Sequence, residues 1–262
     1  MKRGNEPYYR MLPYRNRSDG SPSWQYDIIW NMPLQKGCAA LGGNRIGKSH
    51  IGAFISSLIV TGEHPTYKSP KNGIIWMVAS ESKKIAEVIQ PYFESLIPQR
   101  YKDGGKYNGK LMRWLLKADD REWEVWYKTV ESGRKSFEGA KIDFAWIDEE
   151  PKDTGIFSEL EMRLIDKQGI WLMTATPVEG TRWLKETIER DDVFYTMAGM
   201  RENPYIPLDE IEKISKKLSE DERMVRIEGK YIIFGGRPVF DRRKIEEMQK
   251  TACSYQEGLL VC

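Results

Sequence analysis

Hydrophobic positions fall into short blocks separated by polar segments along this 262-residue chain. The runs "KGCAAL" (36–41), "GIIWMVAS" (73–80), "IDFAWID" (142–148), "GIWLMTAT" (169–176) and "VFYTMAG" (193–199) are continuous rather than alternating. They predict strands buried on both faces. From Lys48 onward, Ile51, Phe54, Ile55, Leu58 and Ile59 recur at helical spacing, and Gly62 is a stop. "ESKKIAEVIQPYFESLI" (81–97) predicts a helix bent near Pro91, and "FSELEMRLID" (157–166) and "TRWLKETIER" (181–190) predict two more. "LMRWLLK" (111–117) and "EWEVWYKTV" (122–130) flank Asp119–Asp120 and predict a hairpin; Trp123, Val125 and Tyr127 alternate with Glu122, Glu124 and Trp126. Strands alternating with helices imply βαβ units and an α/β fold with a mostly parallel sheet.

The pattern changes at both ends. The first 35 residues, with prolines at 7, 13, 22 and 33, read as irregular. Beyond residue 200, "PLDEIEKISKKL" and "SEDERMVRIEG" predict two short charged helices, the second capped by Ser219, followed by a strand and turn in "KYIIFGGRPVF". The expected division is an α/β domain over 1–200, its first 20 residues an irregular arm, and a small linker subdomain over 201–262.

Composition narrows the picture modestly. A net charge of +2 argues against a purely electrostatic nucleic-acid coat but permits a local basic track. Cys38, Cys253 and Cys262 share no metal-ligand spacing and fit a reducing cytoplasm, and His50 and His64 are too few for a zinc site or a His-based dyad. The polar first residues lack a signal-peptide core, and "IGAFISSLIV" is too short to span a bilayer, so no membrane association is expected.

The chemistry concentrates in "LGGNRIGKS" (41–49). Gly42, Gly47, Lys48 and Ser49 complete the phosphate-loop pattern, with Gly43, Asn44, Arg45 and Ile46 between them. The glycines let backbone N–H groups face phosphates, Lys48 reaches the β- and γ-phosphates, Ser49 ligates Mg²⁺, and the following helix adds its positive end. "FAWIDEE" supplies the acids: Asp148 for the Mg²⁺ shell and Glu149 to polarise the attacking water, with Glu150 a solvated neighbour. A Glu directly after the Asp marks the additional-strand, catalytic-glutamate (RecA-like) class of P-loop NTPases. "GIIWMVAS" lies between the two site-bearing strands in sequence, in keeping with that class. Thr174 and Thr176 end another strand at the same sheet edge, where their hydroxyls would reach the γ-phosphate or the attacking water.

With these elements in order, the chain resembles the ATPase domain of the large terminase subunit of tailed bacteriophages. The likeness rests on "LGGNRIGKS", "GRKSFEGAKIDFAWIDEEP", "WLMTATP" and "ENPYIP…LSEDERMVRIEGKYIIFGGRPVF", about residues 22–240. The resemblance implies a motor that couples ATP hydrolysis to translocation of double-stranded DNA into a procapsid. ATP and Mg²⁺ would be its cofactors, and the portal protein and small terminase subunit its partners. It also implies a homo-oligomeric ring, a pentamer by family likeness, in the cytoplasm of the bacterial host. Lys48, Ser49, Asp148 and Glu149 match the family's phosphate-loop and acidic positions, Arg45 an Arg beside the phosphates, and Thr174–Thr176 the coupling motif. Gln25 matches the glutamine that reads adenine, with Gln35 a competitor. Arg134 is the first candidate for a charge-stabilising Arg given to a neighbouring subunit, Arg182 the second. Family members carry a nuclease domain whose acids are not found here, so a fragment ending at or inside the linker is expected. A helicase-like remodelling ATPase and a non-hydrolysing assembly switch remain as alternatives.

DNA-gripping candidates are Lys102, Lys106, Lys110 and Arg113, the Lys68–Lys71 loop, and Arg10, Arg15 and Arg17. The tryptophans at 76, 114, 123, 126, 146 and 171 read as core, and His50 as structural.

Overall fold

The computed structural model describes residues 23–178 and 180–231 and two short strands, 254–256 and 259–261. In chain order the elements before the sheet centre are α1 (Trp24–Asn31), β1 (Gly37–Gly42), α2 (Lys48–Thr61) and β2 (Asn72–Ala79). Then come α3 (Ser82–Lys84), a π-helical turn (Ile85–Ile89), α4 (Gln90–Leu96), α5 (Gln99–Asp103), β3 (Lys106–Asn108), β4 (Arg113–Ala118) and β5 (Arg121–Thr129). They are followed by β6 (Phe144–Asp148), α6 (Thr154–Ile165), β7 (Ile170–Ala175), α7 (Arg182–Ile188), β8 (Val193–Ala198), α8 (Leu208–Ser215) and α9 (Glu220–Arg226). β9 (Ser254–Gln256) and β10 (Leu259–Val261) form a separate antiparallel pair.

Eight strands form one sheet in the order β3-β4-β5-β2-β6-β7-β1-β8. The pairs from β5 to β8 are parallel, while β3, β4 and β5 are joined antiparallel, with the expected hairpin between β4 and β5. The continuous apolar runs are explained by helices on both faces. Cys38, Ala40, Ile75, Met77 and Trp146 join a core with Trp24, Ile51, Ile55 and Phe93. Their neighbours Ala39, Leu41, Trp76, Val78 and Ile147 join the opposite core with Ile156, Leu160 and Leu184.

At three places the structure corrects or refines these expectations. Residues 24–31 are helical, not irregular: the Ser23 side chain accepts from Tyr26 N, and Trp24 and Ile28 are buried one turn apart. Near Pro91, where a bend is expected, the helical run from Ser82 to Leu96 widens into a π turn (Ile85–Ile89) that ends just before the proline, which lacks the N–H to continue the regular ladder. In the sheet the additional strand between the site-bearing strands β1 and β6 is β7; β2, which lies between them in sequence, flanks β6 on its outer side.

Close packing of α2 on the sheet depends on one glycine. A Cβ on Gly52 would lie 2.1 Å from the indole of Trp146, so only glycine lets the helix rest on that ring. Among the tryptophans expected in the core, Trp76, Trp123, Trp146 and Trp171 are fully buried, whereas Trp114 and Trp126 are half-buried. No helix among the described residues is long and apolar enough to cross a membrane.

Candidate active site

The carboxyl ends of the parallel strands converge on one edge, where open α/β sheets bind ligands. β1 ends at Gly42, the chain turns through Gly47 at φ 89°, and α2 starts at Lys48. Gly47 takes the left-handed conformation that glycine adopts freely. The N-terminus of α2 has no side-chain cap, so its first amides remain open to an anion. Ile46 is buried in the core, so only its backbone faces the loop interior. Arg45, at φ 59°, is exposed, and its carbonyl accepts from Asn203 Nδ2 (2.6 Å). Lys48 is almost fully buried and donates to the carbonyls of Gly42 (3.2 Å) and Gly43 (2.7 Å), folding over the loop. Burial lowers its pKa, against the opposing pull of Glu149 and Asp148.

The segment after β8 also belongs to this loop. Gly43 N donates to Ala198 O (2.9 Å) and Asn44 N to Arg226 O (3.0 Å), and Ile211 and Ile227 join the core.

Gln25 is buried on α1, its Nε2 3.0 Å from where a Cβ on Gly47 would lie, and its Oε1 has no partner. Gln35 precedes β1, whose residues run 37–42 toward the phosphate loop, so it stands at the opposite edge of the sheet. A six-residue strand separates the two edges by roughly 20 Å. The geometry thus favours Gln25 over Gln35.

Asp148 ends β6 and is 2% exposed. Its Oδ1 accepts from Ser49 Oγ (3.0 Å) and Thr174 Oγ1 (2.7 Å). Thr174 in turn accepts from Trp146 Nε1 (2.8 Å). The Thr174 hydroxyl is fully buried and held between Trp146 and Asp148, which corrects the expectation that it reaches the γ-phosphate or the attacking water. Asp148 Oδ2 is buried and accepts no hydrogen bond. That carboxylate oxygen, with Ser49 Oγ held at the other oxygen, is a hard-oxygen donor set suited to Mg²⁺.

Glu149 adopts φ 77°, a left-handed conformation costing about 1–2 kcal/mol for a residue with a Cβ. Hydrogen bonds on both sides hold it: Glu149 N donates to Thr174 O (2.7 Å), and Thr176 N donates to Glu149 Oε2 (3.0 Å). Burial raises the pKa of its carboxyl, opposed chiefly by the cation of Lys84. Thr176 Oγ1 lies 3.4 Å from Asn44 Oδ1, bridging the end of β7 to the phosphate loop. A cavity of about 860 Å³ opens beside Glu149, walled by Ser80, Glu131, Thr176 and Trp183.

The site also contains a residue that sequence reading passed over. Lys84 Nζ lies 2.8 Å from Asp148 Oδ2 and 3.8 Å from Glu149 Oε1. The signal for it was the strand order: a basic residue in the first helical turn after the strand beside β6.

The family described as "Terminase large subunit, T4likevirus-type, N-terminal" matches residues 39–246. The chain belongs to this family. Among solved structures, the large terminase of the thermophilic bacteriophage D6E superposes with a TM-score of 0.65 at 13% identity, covering 84% of this chain and 56% of that one. The large terminase ATPase domain of Thermus phage P74-26 gives 0.64 at 16% identity, covering 86% and 97%. The large terminase of bacteriophage HK97 gives 0.57 at 13% identity, covering 86% and 55%. The chain thus spans little more than half the length of the D6E and HK97 proteins. No curated protein matched. These likenesses establish that this terminase-family chain shares their α/β fold around a mostly parallel sheet.

The remaining candidates are scattered. Arg134 opens a short 3₁₀ turn at the same sheet edge, where Lys128 donates to Ser136 O and stacks over Trp76. Its guanidinium is largely exposed and pairs with Glu159 (3.5 Å), not with the phosphate loop. Arg182 is exposed and pairs with Glu186. Of the basic candidates, Lys71 pairs with Asp120 and Arg113 with Glu124, while Lys102 donates to Glu94 O. Arg10, Arg15 and Arg17 lie outside the described residues. His50 packs edge-on against Tyr92.

Proposed function

We propose that this terminase-family chain is the ATP-hydrolysing motor domain of a viral DNA-packaging machine, coupling hydrolysis to translocation of double-stranded DNA into a procapsid. One observation carries the reading: Ser49 and Glu149 flank a single oriented carboxylate, Asp148, at the mouth of a phosphate loop. The D6E large terminase has been solved in complex with ADP and with ATP-gamma-S, which supports the same ligand class here.

In this reading Gln25 holds the adenine, and the amides from Arg45 to Ser49 with Lys48 hold the phosphates, the amides of Gly43 and Asn44 being engaged by Ala198 O and Arg226 O. Arg45 neutralises charge from the solvent side. Ser49 and Asp148 hold Mg²⁺, which when bound would neutralise charge on the β- and γ-phosphates. Glu149 orients the attacking water and takes its proton; a carboxyl pKa raised by burial makes it a better base. Thr176 senses the γ-phosphate and passes its loss to Asn44. Arg134, exposed and turned away from its own phosphate loop, is suited to serve a neighbouring subunit. A homo-oligomeric ring, portal and small-subunit contacts, and action in the host cytoplasm follow from the same reading. Residues 201–262 would form a linker subdomain.

The test is phosphate release by Glu149→Gln, with and without duplex DNA, alongside fluorescent-nucleotide binding. Turnover is expected to fall by at least about 100-fold, the scale of a general base, with binding retained. Unchanged turnover would remove Glu149 from the chemistry. Absence of wild-type turnover in both conditions would favour a nucleotide-dependent assembly switch.

A further inference from the structure

Lys84 stands against the same Asp148 carboxylate that the proposed Mg²⁺ site uses. The two oxygens of Asp148 are used differently. Oδ1 receives the hydroxyls of Ser49 and Thr174, and Oδ2 receives no hydrogen bond. The Lys84 ammonium stands 2.8 Å from Oδ2, close enough for an ion pair but outside hydrogen-bonding geometry. It also reaches Glu149 Oε1 at 3.8 Å. One monovalent cation therefore stands in direct ion-pair contact with both acids, with Lys48 acting on them from farther away.

The position of Lys84 is fixed by the fold. β2 pairs with β6 in parallel, Val78 opposite Ile147, so the chain leaving β2 runs beside the chain leaving β6. Lys84 closes the short α3 turn, and Ile85 opens the π turn directly after it. Such turns occur mostly singly and at functional sites. The Lys84 side chain is about one-fifth exposed, so its stem has a route to solvent that the buried Asp148 lacks.

We infer that Lys84 is a built-in counter-ion that competes with the divalent cation for Asp148, so that metal binding must displace it. This rests on the reading that Ser49 and Asp148 hold Mg²⁺. Two cations cannot share Oδ2 at short range without strong repulsion in a partly buried site. Lys84 sets a threshold: it keeps Asp148 and Glu149 compensated, and only a cation of higher charge replaces it. Lys84 is thus a positioning residue for the acids. Its displacement links metal binding to the helix that runs from Ser82 through Leu96.

The experiment uses the whole chain, a fluorescent ADP analogue and Mg²⁺. ADP affinity is measured in EDTA and across an MgCl₂ titration for wild type, Lys84→Met and Lys84→Arg. Unfolding midpoints are followed with Mg²⁺ alone. Lys84→Met is expected to lower the half-saturating Mg²⁺ about tenfold while ADP affinity in EDTA stays within about twofold of wild type. Its unfolding midpoint should rise with Mg²⁺ alone more than that of wild type. Lys84→Arg should keep the wild-type Mg²⁺ requirement. An unchanged or higher Mg²⁺ requirement in Lys84→Met overturns the inference. So does loss of ADP binding in EDTA, which would make Lys84 a phosphate ligand. Wild-type ADP binding that is indifferent to Mg²⁺ would instead overturn the metal assignment on which the inference rests. If Lys84→Met does not fold, Lys84→Gln removes the same charge and answers the same question.

Discussion

Gly52→Ala sets a sequence rule against a packing contact. Replacing an interior helical glycine by alanine ordinarily stabilises a helix by about 1 kcal/mol. Here the new Cβ would lie 2.1 Å from Trp146 Cε2 and 2.2 Å from its Nε1. Carbon contacts settle near 3.5–4.0 Å, so the indole or the helix must move by roughly 1.5 Å. Trp146 is fully buried, so its indole can move only by displacing its neighbours. Overpacking of this kind costs about 1–3 kcal/mol. Shifting the indole also loosens its hydrogen bond to Thr174, worth about 1 kcal/mol net. Set against the helix gain, the variant should be destabilised by about 2 kcal/mol, a fall in Tm of roughly 4–8 °C for a domain of this size. Thermal and urea unfolding give the measurement. Gly109→Ala is the control: its Cβ would meet only Tyr107 Cε1 at 3.7 Å, and its effect should stay within about 0.5 kcal/mol. A Gly52→Ala Tm at or above wild type would show that helix propensity outweighs the contact, and the account of α2 packing would fail.

Two further perturbations test the scaffold. Arg121 donates to the carbonyls of Val60, Ile59 and Pro70 and to Ser69 Oγ, closing the C-terminus of α2, so Arg121→Ala should cost about 2–3 kcal/mol in urea unfolding, and Arg121→Lys should recover only part of it. Asp143, whose carboxylate accepts from Ile74 N, has its pKa raised above 3.8 mainly by burial. Its contribution to stability is fully present below its unfolded pKa and is lost as pH rises through the higher folded one. Asp143→Asn should therefore be more stable than wild type at pH 8, with the difference shrinking toward pH 4 in pH-dependent unfolding.

The phosphate loop and the Asp148–Glu149 pair were legible because each is a local pattern: a glycine-spaced turn between an apolar strand and a helix, and acids at the end of a buried run. The elements of the sheet were legible for the same reason. What depends on strand order was not. Sequence order put "GIIWMVAS" between the two halves of the site, whereas β7 crosses over to lie there and β2 takes the outer side. That exchange brings Thr174 under Asp148 and Lys84 over it, and no spacing along the chain announces either contact. The left-handed backbone of Glu149 was equally hidden, because sequence rules assign φ 77° to glycine, not to glutamate. The helix over 24–31 was obscured by flanking prolines, although Trp24 and Ile28 carry its spacing.

The amides of Gly43 and Asn44 are engaged by the carbonyls of Ala198 and Arg226, and the carbonyl of Arg45 by Asn203. The phosphate loop is therefore not a portable module. A chain truncated after residue 200 would strip Asn44 and Arg45 of these partners and uncover the core beneath Ile211 and Ile227. Grafting the loop with β1 and α2 alone onto another sheet should give a floppy turn with weak nucleotide affinity. The segment beyond β8 acts as the outer half of its mould, because Arg226 and Asn203 hold the backbone of Asn44 and Arg45 in place.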